Sequence, residues 1–245
     1  LPGNILYELL NNKRVIGVRD YRSKLIAKEI FGKLVNSKIS FTNLNMAEMI
    51  KLSENTYRDI NIAYANLLSL ICDRFKLDHK KLIFFANEHP RVNILQPGIG
   101  VGGHCIPIDP YFLAQSYKKN HLIMNARNIN DFKTKDVIKK INILITKDKK
   151  KPRLIFCGIT YKKNSDDVRE SPAIKIINYF VNKNFKFAVF EPNLRELPKK
   201  FKDKRVLLIK KNQIKSDDML IILIDHDKFK NIKKSFPKNR IVNFT

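Results

Sequence analysis

Leu154-Ile155-Phe156-Cys157-Gly158 is a short, unbroken apolar run closed by a glycine, the pattern of a strand buried on both faces. Working outward from it, Pro172 to Val181 reads as a helix and Lys186 to Phe190 as a second strand. Arg205 to Ile209 and Met219 to Ile224 add two more strands. Short apolar strands alternating with helices specify an α/β class with a parallel, doubly wound sheet. Upstream, Lys147 to Lys151 reads as a linker, Asp109 to Leu144 as helical, and Met46 to about Phe75 as one long helix. Its second half, Ile60 to Leu68, is apolar nearly all round and is expected to be buried. The beginning reads as a helix (Ile5 to Leu10), a strand (Arg14 to Val18), a helix (Ser23 to Val35) and a strand near Lys38 to Thr42. Leu1-Pro2-Gly3 is no natural start, so this segment reads as the tail of a preceding domain. The expected plan is 1–43, a central helical region 44–147, and a C-terminal sheet domain 148–245.

Between the long helix and the sheet lies Gly98-Ile99-Gly100-Val101-Gly102-Gly103-His104-Cys105-Ile106-Pro107-Ile108-Asp109-Pro110, which holds half of the eight glycines in the chain. Backbone without Cβ atoms can turn tightly and admit a ligand closely. A cysteine at the end of such a turn is a candidate nucleophile, with Asp109 four residues on. Gly98, Gly100 and Gly103 also match the dinucleotide fingerprint G-x-G-x-x-G, which needs a helix opening at once behind it and an acidic residue about twenty positions on. Pro107 and Pro110 obstruct that helix, and no Asp or Glu lies between Asp109 and Asp131. A catalytic cysteine loop fits better than a nucleotide cradle.

A chain of 245 residues with 44% apolar content forms real cores. It has no apolar run of bilayer-spanning length and no secretory leader pattern. Its three cysteines, Cys72, Cys105 and Cys157, are too few and too scattered for a disulfide scaffold or a metal site, so a reducing, cytoplasmic compartment is expected. The net charge of +25 invites a nucleic-acid reading. Yet the lysines run from Lys13 to Lys238 without a dominant block, and the aromatics do not interleave with them as a stacking platform requires. A solvated lysine surface is the better reading, and its field favours an anionic substrate.

On the long helix Lys51, Asn55 and Arg58 fall at i, i+4 and i+7 and share one face. They serve either a ligand or neighbouring carboxylates such as Glu48, Glu54 or Asp59. Cys72 and Cys157 sit in apolar contexts as small buried hydrophobes. His104 lowers the Cys105 thiol pKa if it is protonated nearby, or is simply a hydrogen-bonding residue. The segment Tyr161 to Pro172 follows the first strand of the sheet, where ligands bind in such folds. Ser171-Pro172 opens a helix whose N-terminus favours phosphate. Lys162 and Arg169 are candidates for a diphosphate; the alternative is a loop held together by Asp166, Asp167 and Arg169.

Three blocks, Ala47 to Lys51 through Glu54 to Ala63, Gly98 to Pro110, and Tyr161 to Pro172, resemble the UDP-glucose/GDP-mannose dehydrogenase family. Tyr57-Arg58-Asp59, Gly102-Gly103-His104-Cys105, His89 to Pro97, Glu191-Pro192-Asn193 and Asp225-His226 are similar to its N-acetyl-sugar branch. The resemblance implies NAD-dependent oxidation of the C6 alcohol of a UDP-N-acetylhexosamine to a uronate for surface polysaccharide, the manno epimer ahead of the gluco. It implies a homodimer formed through the central helix, with no metal, nucleic acid or membrane partner. Carried over by motif, Cys105 is the thiol nucleophile, Lys51 and Asn55 stabilise the oxyanion and position water, and Asp109 assists proton transfer. Arg58, Arg91, Gly102, Gly103 and His104 contact substrate, Lys162 lies on the UDP side, and Arg169 is assigned weakly to the cofactor.

There are departures from the family pattern. Ile99 stands where the family usually has Pro, and Val242 to Thr245 differs from its usual close. The NAD-binding domain and an active-site glutamate loop would precede Leu1. An inactive UDP-sugar-binding or dimerisation fragment is therefore the alternative reading.

Overall fold

The computed structural model describes residues 5–148, 152–183, 185–201 and 206–245. The Leu1-Pro2-Gly3 start, most of the Lys147 to Lys151 linker and Arg205 fall outside them. The chain opens with α1 (Ile5–Asn11), β1 (Arg14–Gly17), α2 (Tyr21–Leu34) and β2 (Ile39–Thr42). β1 and β2 pair in parallel as a two-stranded sheet. Asp20 and Ser23 cap α2 reciprocally, yet α2 buries no residue, and Leu25, Ile26, Ile30 and Leu34 are exposed.

The central region is α3 (Leu44–Phe75), α4 (His79–Ala86), α5 (Asp109–Gln115) and α6 (His121–Lys147). Asn43 starts α3 by accepting from the Met46 amide, and Lys76 ends it in the left-handed region. The continuous helix expected over Asp109 to Leu144 breaks between α5 and α6. Ser116 donates to the Leu113 carbonyl and Asn120 to that of Ala114, so these side chains compete with the helical ladder and stop it.

α3 also departs from the expected all-round burial. Its buried face is mostly polar: Asn55, Thr56, Asp59, Asn66 and Ser69 accompany Ala63, Ala65 and Cys72. Tyr57, Tyr64, Leu67 and Ile71 form an exposed stripe, Tyr64 at 50%. Within one chain α3 is covered by β1, α4, α5 and α6, and this stripe is left open.

The C-terminal unit is β3 (Leu154–Cys157), α7 (Pro172–Asn182), β4 (Phe187–Phe190), β5 (Val206–Leu208), β6 (Met219–Ile222), α8 (Lys230–Ser235) and β7 (Ile241–Asn243). All five strands are parallel, in the order β5-β4-β3-β6-β7. The order reverses at β3, the topological switch point where such sheets bind ligands. Side chains alternate faces with the pleat. Leu154, Phe156, Val189 and Ile221 pack with α7, whereas Ile155, Cys157, Phe190 and Ile222 pack with Phe229 and Ile232. Ile99 of the glycine loop and Val137 and Ile141 of α6 join the first cluster. The glycine loop is thus anchored in the core of the sheet domain, which fixes the site described next.

Candidate active site

Asn55 is the pivot. It lies buried on α3, accepts from Lys51 Nζ at 3.4 Å and donates through Nδ2 to Asp109 Oδ2 at 2.5 Å. Asp109 opens α5, and the amides of Ile108 and Asp109 both donate to the Cys105 carbonyl, at 2.9 and 2.8 Å. One turn of backbone therefore ties the cysteine to the aspartate, and one amide ties the aspartate to the lysine. Cys105 is exposed, as is His104, whereas Cys72 and Cys157 are buried. Burial and the nearby Glu191 charge push the Cys157 thiol pKa well above its ordinary value, so only Cys105 has the access that a nucleophile needs.

Beneath this group runs a buried polar network. Arg127 on α6 donates to Asp59 at 2.6 Å, and Asn130 donates to the same oxygen at 2.8 Å. Burial raises the Asp59 pKa despite the opposing charge of Arg127. Asn66 donates to Asn130 and accepts from the Gly98 amide, each at 2.9 Å, and Thr134 holds the Ile99 carbonyl at 2.8 Å. The Arg127 guanidinium also lies over the Tyr111 ring, 5.9 Å from its centre. Asp59 therefore pairs with Arg127, not with the Lys51–Arg58 face. Arg58 is exposed and makes no ion pair among the described residues.

The glycines allow the loop to lie between this platform and the sheet domain. At Gly102 an added Cβ would sit 2.7 Å from the Glu170 carbonyl oxygen, 2.8 Å from Pro172 and 2.9 Å from Tyr161. Gly103 has φ of +93°, faces the Tyr161 ring and donates its amide to the Arg169 carbonyl at 3.1 Å. No helix begins until α5, so the G-x-G-x-x-G match is not a dinucleotide cradle. The glycines serve the cysteine turn.

Residues 159–171 cover the carboxyl end of β3. The Arg169 fork closes on Asp167, with contacts of 2.6 to 3.0 Å, and these hydrogen bonds hold the Asp167 carboxyl below the usual range. This is the self-held loop of the alternative reading, without Asp166, and it leaves the guanidinium of Arg169 engaged rather than offered to a cofactor. Ser171 makes no cap; its hydroxyl donates to the Thr160 carbonyl, and Ser171 and Pro172 are buried under the glycine loop. The start of α7 is therefore closed to a phosphate, a correction to the expectation that it binds one.

Lys162 is half-buried. A 410 Å³ cleft between the two domains is lined by Gly98, Gly100, Tyr161, Lys163 and Asp225, and a 710 Å³ cleft bounded by β1 carries Lys51 and Glu54. Arg91 lies in the loop after α4, where the Asn61 and Asn87 side chains hold Asn93, Ile94 and Leu95. It is exposed, and no hydrogen bond or ion pair among the described residues links its side chain to the Cys105 turn. Sequence reasoning named Glu191-Pro192-Asn193 and Asp225-His226 as motifs but gave neither residue a role, and missed that Glu191 and His226 form a buried pair behind residues 159–171.

These features have close counterparts in known proteins. Residues 45–132 match the central domain of the UDP-glucose/GDP-mannose dehydrogenase family, and residues 155–243 match its UDP binding domain. The UDP-N-acetyl-D-mannosamine dehydrogenase of Methanocaldococcus jannaschii is 43% identical over 241 residues, 98% of this chain and 54% of that protein. An NDP-N-acetyl-D-galactosaminuronic acid dehydrogenase of Ralstonia solanacearum is 39% identical, over 99% of this chain and 57% of its own length. Among solved structures, the UDP-N-acetyl-mannosamine dehydrogenase of Staphylococcus aureus superposes with a TM-score of 0.82 at 35% identity, covering 100% of this chain and 57% of that one. The chain spans a little over half the length of the relatives it matches. A cysteine turn clamped between a long polar-faced helix and a parallel sheet, matched by both domain patterns, places this chain in the UDP-glucose/GDP-mannose dehydrogenase family, of which it carries the central and UDP binding domains.

Proposed function

We propose that this chain carries the thiol chemistry and the UDP-sugar contacts of a UDP-N-acetyl-D-mannosamine 6-dehydrogenase, which oxidises the C6 alcohol to a uronate. The observation that supports this most is the continuous connection Lys51–Asn55–Asp109–Cys105. The Cys105 thiol adds to the C6 aldehyde, its proton leaving as the S–C bond forms and the carbonyl oxygen becoming the hydroxyl. Covalent capture keeps the aldehyde in place. Asn55 has two amide hydrogens and spends one on Asp109, so the second is available to the developing oxyanion, while the Lys51 ammonium donates to Oδ1 of the same amide. After oxidation to the thioester, Asp109 accepts a proton from the attacking water and the thiol is released with the acid.

NAD is the proposed acceptor of both hydrides. None of the described residues is assigned to holding it, Arg169 included, because its guanidinium is engaged by Asp167. Residues 1–43 are proposed as the last elements of an NAD-binding domain, 44–147 as the central domain and 148–245 as the UDP-sugar domain. Arg58, Arg91, Gly102, Gly103 and His104 are proposed to contact substrate, and Lys162 the UDP. The exposed Tyr57–Ile71 stripe of α3 supports a homodimer, since a contiguous apolar face marks an interaction surface. A cytoplasmic location and a role in surface polysaccharide follow from the substrate class.

The Ralstonia relative's name keeps the choice of hexosamine epimer open, and a UDP-sugar-binding module without turnover is the second reading. Calorimetry of the chain with UDP tests binding. NADH absorbance with UDP-N-acetylmannosamine and NAD tests turnover, which this chain alone is expected not to sustain.

A further inference from the structure

Glu191 follows β4 directly and His226 follows β6, and both side chains are fully buried. They meet behind residues 159–171 and determine one another's hydrogen bonding. The Asn164 amide donates to His226 Nδ1 at 2.9 Å, so that nitrogen carries no proton. Nε2–H then donates to Glu191 Oε2 at 3.0 Å. The same oxygen accepts from the Ile159 amide at 2.8 Å, and Oε1 accepts from the Asn193 amide at 3.0 Å.

The pair thus grips the loop at Ile159 and Asn164, on both sides of Lys162. Between these points the Thr160 hydroxyl donates to the Lys162 carbonyl at 2.9 Å. Asn164 is left-handed, with φ of +56°, a conformation that persists only where its surroundings over-determine it. Asp227, next to His226, supplies that restraint: its amide donates to Asn164 Oδ1 at 3.0 Å, and its carboxylate accepts from Asn164 Nδ2 at 2.6 Å. Residues 159–171 lie outside the sheet, and the position of Lys162 is set by these side chains together with the Tyr161 amide, which donates to the Asp167 carbonyl at 2.9 Å.

We propose that His226, oriented by Glu191, is a positioning residue that holds Lys162 in place for the diphosphate of a UDP-sugar. The inference rests on the UDP-sugar reading above, and the test separates the two. UDP is titrated calorimetrically into the wild-type chain and into the His226→Ala, His226→Asn, Thr160→Val and Lys162→Ala variants, with folding followed by circular dichroism. His226→Ala is expected to weaken UDP binding on the order of tenfold, the loss of one well-placed charge-assisted contact. His226→Asn restores an acceptor for the Asn164 amide and should regain most of the affinity. Because His226 acts through Lys162, the His226→Ala/Lys162→Ala double variant should bind little worse than Lys162→Ala alone.

A cluster that serves stability only would give additive losses and no rescue by asparagine, and either result overturns the proposal, as does wild-type affinity in folded His226→Ala. If His226→Ala does not fold, Thr160→Val, which keeps the Glu191–His226 hydrogen bond but removes the hydroxyl 3.4 Å from His226 Nε2 and its bond to the Lys162 carbonyl, decides by the same cycle with Lys162→Ala. A folded wild-type chain that binds no UDP overturns the UDP-sugar reading and this inference with it; equal binding by every His226 and Thr160 variant overturns this inference alone.

Discussion

Replacing Arg127 by methionine removes the charge that faces Asp59 while keeping most of the volume. Asp59 is 0% exposed and Arg127 4%, so water cannot take over the lost partner. The Asp59 carboxylate would keep only Asn130 at Oδ1, and its Oδ2 already lacks a partner. Breaking one side of a buried pair costs about 3–5 kcal/mol, which for a chain of this size is a fall in melting temperature of roughly 6–20 °C. The loss should depend on pH with a defined sign. Burial already raises the Asp59 pKa in the folded protein, and without Arg127 it rises further. An acid whose folded pKa exceeds its unfolded value contributes stability below the unfolded value, and that contribution is lost as pH rises through the folded one. The deficit of the variant should therefore shrink on acidification from neutral pH, by at most about 1.4 kcal/mol per pH unit for one proton. Asp59→Asn in the Arg127→Met background removes the stranded charge and should recover much of the loss. Urea unfolding followed by circular dichroism at two pH values measures all four corners of the cycle. A single Arg127→Met variant within 1 kcal/mol of wild type near neutral pH would refute the reasoning, as would a double variant no more stable than it.

Three further outcomes are expected. Gly102→Ala puts a methyl group into the Glu170 carbonyl and the Pro172 ring; overpacking of this kind costs about 1–3 kcal/mol, and calorimetry should show weaker UDP binding as the cysteine turn moves off the sheet domain. Tyr64→Glu, on the exposed stripe of α3, should convert a dimer to monomer in light scattering, and a wild-type chain that is monomeric at high concentration would count against the proposed interface. In a chimera with the N-terminal portion of the Methanocaldococcus jannaschii relative placed ahead of this chain, Cys105→Ser should abolish uronate formation while Cys157→Ser leaves it. Equal uronate from both variants and the parent would mean another nucleophile.

The sheet domain was legible because β3, β4 and β6 are apolar on both faces, a pattern that only burial between two layers explains. The cysteine turn was legible because glycines, prolines and Cys105 crowd into one loop. The rest depended on which partner each side chain finds in space. The break before α6 comes from Ser116 and Asn120 closing on carbonyls several residues away. The fork of Arg169 was open to a ligand in sequence and is closed by Asp167 in space. Asp59 was one of the carboxylates offered to the Lys51–Arg58 face, yet it turns inward and Arg127 from α6, 68 residues on, takes it. The exposed stripe on α3 read as core because apolar residues do not reveal whether their cover comes from the same chain.

The proposed site puts Cys105 at the sugar end of a UDP-sugar, and thiol alkylation followed by peptide mass spectrometry probes this on the chain as it is. Iodoacetamide should modify Cys105 alone, since Cys72 and Cys157 are buried, and UDP-N-acetylmannosamine should slow that modification in a saturable way, more than UDP does. Alkylation of Cys105 at an unchanged rate under UDP-sugar concentrations that saturate binding would contradict the claim.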